Sequence, residues 1–175
     1  MEKYSEIIGL PVICASGGKN IGIVKDVLFC PESKEVKALL LEQKGIRVKK
    51  RIILLKDVIN IGRDAVMVED NKSIAEMSKA EKTGELGKRG LVRGLNVFSR
   101  DGDNIGTVED VIFDSVTGHI EGLEITDGIF QDIINGRKIV PVIGRVEFGS
   151  ENIILDREAI EEIIETGGGI KKLLD

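Results

Sequence analysis

Apolar residues in this chain come in short runs or alternate with polar ones. Gly, Pro, Asn, Asp or Ser bounds each run, a pattern of strands rather than helices. P-V-I-C-A at 11–15 reads as a strand, and the S-G-G-K-N after it is turn chemistry that closes a hairpin. Residues 20–29 form the second strand. Strict alternation there puts Ile21, Ile23, Val27 and Phe29 on one face and Gly22, Val24, Asp26 and Leu28 on the other. Neither face is cleanly polar, so a bend or bulge near Asp26 is predicted, letting apolar residues from both ends reach one core. After a turn at 31–34, residues 35–43 read as a third strand carrying Val36, Leu39 and Leu41. Residues 52–55 read as a fourth, L-K-D-V as a tight turn, and I-N-I-G and A-V-M-V as two short strands joined at G-R-D. Two segments carry a helical signal instead. One is 71–82, polar and weakly amphipathic. The other is 156–165, where Asp156 suits the N-cap and Ala159, Ile160, Ile163 and Ile164 make an apolar stripe.

The pattern runs twice. Residues 18–29 read GKNIGIVKDVLF and residues 102–113 read GDNIGTVEDVIF, 84 positions on, with nine of twelve identical or exchanging Leu for Ile. I-V-P-V, V-E-F-G and N-I-I-L then repeat the later strands, so the chain reads as two copies of one domain. Six short strands with tight turns in each copy predict a small closed or nearly closed barrel, which removes exposed edges. The expected architecture is mainly β: two small β-barrels in tandem, each followed by a short α-helix. The first domain is placed at 1–84 and the second at 85–175, with the Gly-rich T-G-E-L-G-K-R-G segment at the boundary.

Gly22, Asp26 and Phe29 recur as Gly106, Asp110 and Phe113. The aspartates can be read as an acid pair for catalysis or metal binding, or as carboxylates accepting backbone N–H bonds at a bulge. One acid in each of two equivalent domains does not put two acids in one site, as general acid–base work requires, so the bulge reading is favoured. The glycines read as backbone devices for a bend or a close strand approach.

The pattern G-x-x-I-G-x-V-x-D-V-x-F, set after a short strand and before a turn and an apolar strand, resembles the PRC-barrel family. The resemblance covers roughly residues 4–70 and 90–156. That family takes its name from the cytoplasmic domain of the H subunit of photosynthetic reaction centres, and includes the C-terminal domain of a ribosome-maturation factor. This sequence shows neither the transmembrane helix of the former nor the preceding domain of the latter. Neither role therefore transfers directly.

Composition narrows the function classes. Hydrophobic residues make up 42% and charged ones 31%, while aromatics are 3% and Trp is absent, so the core is expected to be aliphatic. No apolar run approaches the ~20 residues that span a bilayer. The opening M-E-K-Y-S-E-I-I-G-L-P has no basic segment leading into a sustained apolar one, so a cytoplasmic location is expected. Cys14, Cys30 and the one histidine, His119, offer no metal-ligand spacing, and no metal or cofactor is expected. Aligned with Phe98, Cys14 is expected to be a core thiol. Cys30, aligned with Asp114 at a strand end, is expected to be partly exposed. His119, after Gly118, reads as an exposed turn residue. G-G-K-N leads into a strand, whereas phosphate cradles open a helix. No nucleophile elbow, zincin helix or dinucleotide fingerprint is present, and the sequence gives no reason to expect an enzyme.

The net charge of −5 conceals an asymmetry. Residues 1–72 carry thirteen basic and ten acidic side chains, whereas residues 91–175 carry eight basic and seventeen acidic. Opposite signs favour docking between copies, or mark two surfaces for different partners. Lys44, Arg47, Lys49, Lys50 and Arg51 concentrate five positive charges between the third and fourth strands. They read either as a solvated edge that blocks strand addition or as a contact for an acidic protein, RNA or anionic lipid. The equivalent loop of the second copy is acidic and carries Ile129, Phe130, Ile133 and Ile134, as a contact patch or as a segment folded onto the barrel. The expected function is a non-catalytic cytosolic protein-interaction or scaffolding module, with self-association as one option for the partner. The alternative is an RNA- or ribosome-associated accessory factor using residues 44–51, disfavoured because few aromatics are left for stacking on bases.

Overall fold

In a computed structural model, residues 1–42, 49–82, 84, 86, 92–126, 138–142 and 145–166 are described. The chain divides into two compact units: residues 2–90 together with 114–119, and residues 91–113 with 120–175 and Met1. The first unit opens with β1 (Glu2–Lys3) and α1 (Tyr4–Ile7). It continues through β2 (Pro11–Cys14), β3 (Asn20–Cys30), β4 (Glu35–Leu41) and β5 (Arg51–Leu54). A 3-10 turn at Leu55–Asp57 leads to β6 (Val58–Ile61), β7 (Val66–Val68), β8 (Ile74–Glu76) and α2 (Met77–Lys82). Its sheet runs in the order β6-β7-β2-β3-β4-β5-β8, antiparallel except where β2 meets β7.

The eleven-residue β3 bridges both halves of this sheet, pairing with β2 near its start and with β4 beyond Ile23. It is not a plain strand. Val12 faces Gly22 but Ile13 faces Asn20, so Ile21 is an extra residue, and Asn20 Oδ1 accepts the Gly22 N–H at 3.0 Å. A second shift falls between Val24 and Asp26, which face Leu41 and Leu40, and leaves Lys25 exposed between them. Each bulge adds right-handed twist and re-aims the side chains after it. Val24, Leu28, Phe29 and Cys30 are therefore buried together, a set that strict alternation does not allow. The twist curls the sheet into a half-barrel around an aliphatic core that includes Val12, Leu39, Leu41, Ile52 and Ile53. Among the described residues, the end strands β6 and β8 do not pair with each other.

The second unit repeats this plan. It holds β9 (Asn96–Ser99), β10 (Asn104–Phe113), β11 (Ile120–Thr126), β12 (Lys138–Pro141), β13 (Val146–Phe148), β14 (Asn152–Leu155) and α3 (Arg157–Thr166). Its strands follow the order β12-β11-β10-β9-β14-β13. Val97 faces Gly106 as Val12 faces Gly22, and Asn104 Oδ1 accepts the Gly106 N–H at 2.9 Å. The second shift recurs between Val108 and Asp110, and β9 pairs parallel with β14 as β2 does with β7. Mainly β, built of two curled sheets with few helices, the fold matches the architecture expected from the sequence.

Three local expectations need correction. The helix expected over 71–82 forms only at Met77–Lys82. Asp70 Oδ1 accepts the Lys72 N–H at 2.7 Å and ties residues 71–73 into a 3-10 turn. Ile74–Glu76 then adds to the open edge of β5, where sheet hydrogen bonds outweigh a weak helical pattern. In the second copy the helix does form, with Asp156 Oδ1 accepting the Ala159 N–H at 3.1 Å and Ala159 and Ile163 buried. Cys30 is buried, at 4% exposure, rather than partly exposed. Cys14 corresponds to Ser99, not Phe98: Cys14 bonds Lys19 where Ser99 bonds Asp103, because the first hairpin loop is one residue longer. Cys14 is nevertheless a core thiol, at 2% exposure.

Candidate functional site

In both copies the motif aspartate bonds the backbone beside it. Asp26 Oδ1 accepts the N–H of Val27 at 2.8 Å and the hydroxyl of Tyr4 at 2.9 Å. Asp110 Oδ1 accepts the N–H of Val111 at 2.9 Å, in a site only 3% exposed. Each carboxylate thus accepts the N–H of the residue that follows it, just beyond the register shift. A Cβ on Gly22 would stand 3.0 Å from the Cδ1 of Leu41, so a larger residue there would have to displace that side chain. Phe29 and Phe113 are buried at the ends of their strands. The pairing of Tyr4 with Asp26 escapes sequence reasoning, because 22 residues separate them and no periodicity links them.

Of the basic stretch, Lys44 and Arg47 lie outside the described residues, as do Phe130 and its apolar neighbours Ile129, Ile133 and Ile134. Lys49 and Lys50 are exposed just before β5. Lys49 Nζ lies 2.9 and 3.0 Å from the two carboxylate oxygens of Glu76, on the strand that replaces the expected helix. Arg51, half-buried at the start of β5, reaches the carbonyls of Ile21 and Glu42, each at 3.4 Å. Lys49 is thus paired with β8 and Arg51 reaches back to β3 and the end of β4, while Lys50 projects outward.

Titratable groups gather at the turn joining β3 to β4. Glu35 bonds Lys37 and lies 3.4 Å from His119 Nδ1, and its carboxyl is held below the usual range, chiefly by the Lys37 hydrogen bond. Burial alone would raise the Cys30 thiol. The Ser33 hydroxyl and N–H, the Glu32 N–H and the Lys37 charge together bring it below the usual range. Asp114 occupies the place of Cys30 in the second copy, and its Oδ1 accepts from Thr117 N, Val116 N and Thr117 Oγ1 at 2.7, 2.9 and 3.0 Å. Those donors lower its carboxyl too. Both turns direct hydrogen-bond donors at the residue after the motif phenylalanine, a thiol in the first copy and a carboxylate in the second. Among the described residues, no cluster of three His, Cys, Asp or Glu is arranged to hold a metal ion, and no helix is long and apolar enough to cross a membrane.

The PRC-barrel domain profile matches two segments, residues 1–74 and 91–162. The uncharacterized protein YrrD of Bacillus subtilis (strain 168) is 25% identical over 153 residues, covering 86% of this chain and 85% of its own. The duplicated bulge, the parallel closing strands and the two profile matches agree: the chain belongs to the PRC-barrel family, with two such domains in tandem.

Proposed function

We propose that this chain is a non-catalytic, cytosolic protein-interaction module whose two barrels present surfaces of opposite charge. The observation that carries this reading is the fate of Asp26 and Asp110. The two repeated carboxylates bond their own bulges, and so act as parts of the scaffold rather than as acids aimed at a substrate. What differs between the copies is net charge: +3 over 1–72 against −9 over 91–175. Charge patterns of this kind steer encounter and select partners more than they stabilise a fold. The partner-facing surface is assigned to the basic stretch around Lys44, Arg47, Lys49, Lys50 and Arg51 in the first copy, with the loop carrying Phe130 in the second. The partner of the basic stretch presents an acidic face, and a second copy of this chain is one such protein.

Capture from lysate of the source cell, with and without nuclease and across a salt series, tests the reading. Nuclease-resistant capture of a protein, with moderate salt dependence, is expected. Capture that nuclease abolishes and salt weakens steeply would replace it with the RNA- or ribosome-associated reading.

A further inference from the structure

A cleft of about 550 Å³ opens in the first unit between the α1 segment and the turn joining β6 to β7. Its apolar floor is Ile7, Leu10 and Ile61. Glu2 and Glu6 line it from one segment, and Arg63 from the other. Both walls are fixed by backbone. Gly9 N bonds Val24 O and Val24 N bonds Leu10 O, at 2.8 and 2.9 Å, while Gly62 N bonds Ala65 O at 2.9 Å. Glu6 and Arg63 are exposed, and neither makes a hydrogen bond or ion pair among the described residues. Burial pushes the Glu2 carboxyl above its usual range, the N-terminal ammonium and a hydrogen bond with Ser115 oppose this, and the like charge of Glu6 adds to it.

The second copy shows what the fold requires. Gly94 N bonds Val108 O and Val108 N bonds Leu95 O, the same staple, and Gly149 N bonds Asn152 O as Gly62 N bonds Ala65 O. By that register, Phe148 stands where the first copy has Ile61, and Ser150 where it has Arg63. The backbone frame is therefore general, and the Arg63 charge belongs to the first copy alone.

We propose that this cleft binds a short apolar peptide with free termini, its ammonium group against Glu2 and Glu6 and its carboxylate against Arg63, with aliphatic side chains over Ile7, Leu10 and Ile61. Charges of both signs beside one apolar floor match a zwitterion with an apolar body better than a simple anion or cation. The volume lies within the range of small-ligand sites, roughly 300–1,000 Å³. This site is independent of the basic stretch and goes beyond the interaction reading.

Titration of the isotope-labelled full chain with Leu-Leu, followed by amide NMR shifts, tests it. The expected result is saturable shifts confined to residues 2–10 and 61–63. Acetyl-Leu-Leu-amide, with the same apolar body and no charges, should bind at least tenfold more weakly. Arg63→Ser and Glu6→Gln should each weaken Leu-Leu several-fold without moving the thermal melt, since both side chains are exposed and make no pair among the described residues. No shifts at millimolar Leu-Leu would overturn the proposal. So would equal binding of the blocked peptide, or binding indifferent to both substitutions. None of these outcomes bears on protein capture by the basic stretch.

Discussion

Asp26 and Asp110 hold equivalent places in unlike surroundings. Asp110 is nearly sealed from water, whereas Asp26 is half-buried and shares its Oδ1 between Val27 and Tyr4. Replacing Asp110 with Ala leaves the Val111 N–H without its partner in the interior, a cost of about 1–3 kcal/mol. Asp26→Ala should cost less, because water can reach the vacated donor. Asn at either site should fall between wild type and Ala, since its carbonyl still accepts. Tyr4→Phe removes one hydrogen bond and should cost about 0.5–1.5 kcal/mol. Urea midpoints of the five variants check the order, and an Asp110→Ala midpoint equal to wild type would remove the structural role. The bulge was legible in the sequence because alternation fails at Asp26 while both flanks stay apolar. The second donor was not, since nothing near Tyr4 announces which strand its hydroxyl will meet. Asn20 and Asn104 were also missed as bulge-formers, although N-x-G at both strand starts was a visible signal.

At the scale of elements, the two copies diverge where their sequences after the last barrel strand differ. D-R-E-A-I-E-E-I-I-E has a cap and a continuous apolar stripe and makes α3. N-K-S-I-A-E-M-S-K has neither, and its first half joins β5 as β8. Propensity was readable in both cases, but the open edge of β5 was not, because edges are set by tertiary pairing. The short α2 and the segment beyond it still close the first core: Leu86, fully buried, packs with Leu28, Ala38, Ile52, Leu54, Met77 and Ala80. Leu86→Ala should therefore destabilise the first unit by about 2–5 kcal/mol, although the residue lies in a Gly-rich stretch that reads as linker. Denaturation of the isolated variant chain checks this. The turns at Glu35 and Asp114 add a pH signature. Both carboxyls are held below their ordinary values, so their contribution is present above the unfolded pKa near about 4 and is lost as pH falls through the folded values. Stability of the wild type should fall more steeply between about pH 5 and pH 2 than that of a Glu35→Gln, Asp114→Asn variant. Parallel slopes in urea midpoints against pH would contradict it.

For the whole molecule, duplication has kept the frame and changed the surface. Gly22 and Gly106, Asp26 and Asp110, Phe29 and Phe113 stand at matching register positions, while charge and loop chemistry have moved apart. Fold class and repeat were legible because they rest on residues that must recur for the bulged strand to form. The recognition surface was less so, because exposed charges carry no periodicity and their partners come from strands far apart in sequence. Lys49, read as one charge in a basic run, meets Glu76 on β8, and Arg51 bonds two carbonyls. A charge reversal that probes recognition without disturbing β5 therefore spares both and uses Lys44, Arg47 and Lys50. Surface substitutions of this kind change stability by about 0.5 kcal/mol or less each. The direct measurement is recovery of protein partners from nuclease-treated lysate by wild-type bait and by a Lys44→Glu, Arg47→Glu, Lys50→Glu bait whose melting temperature is unchanged. The account predicts specific partners on the wild type that the variant fails to hold. Equal recovery of the same proteins by both baits would contradict it and return the basic stretch to a solvated edge.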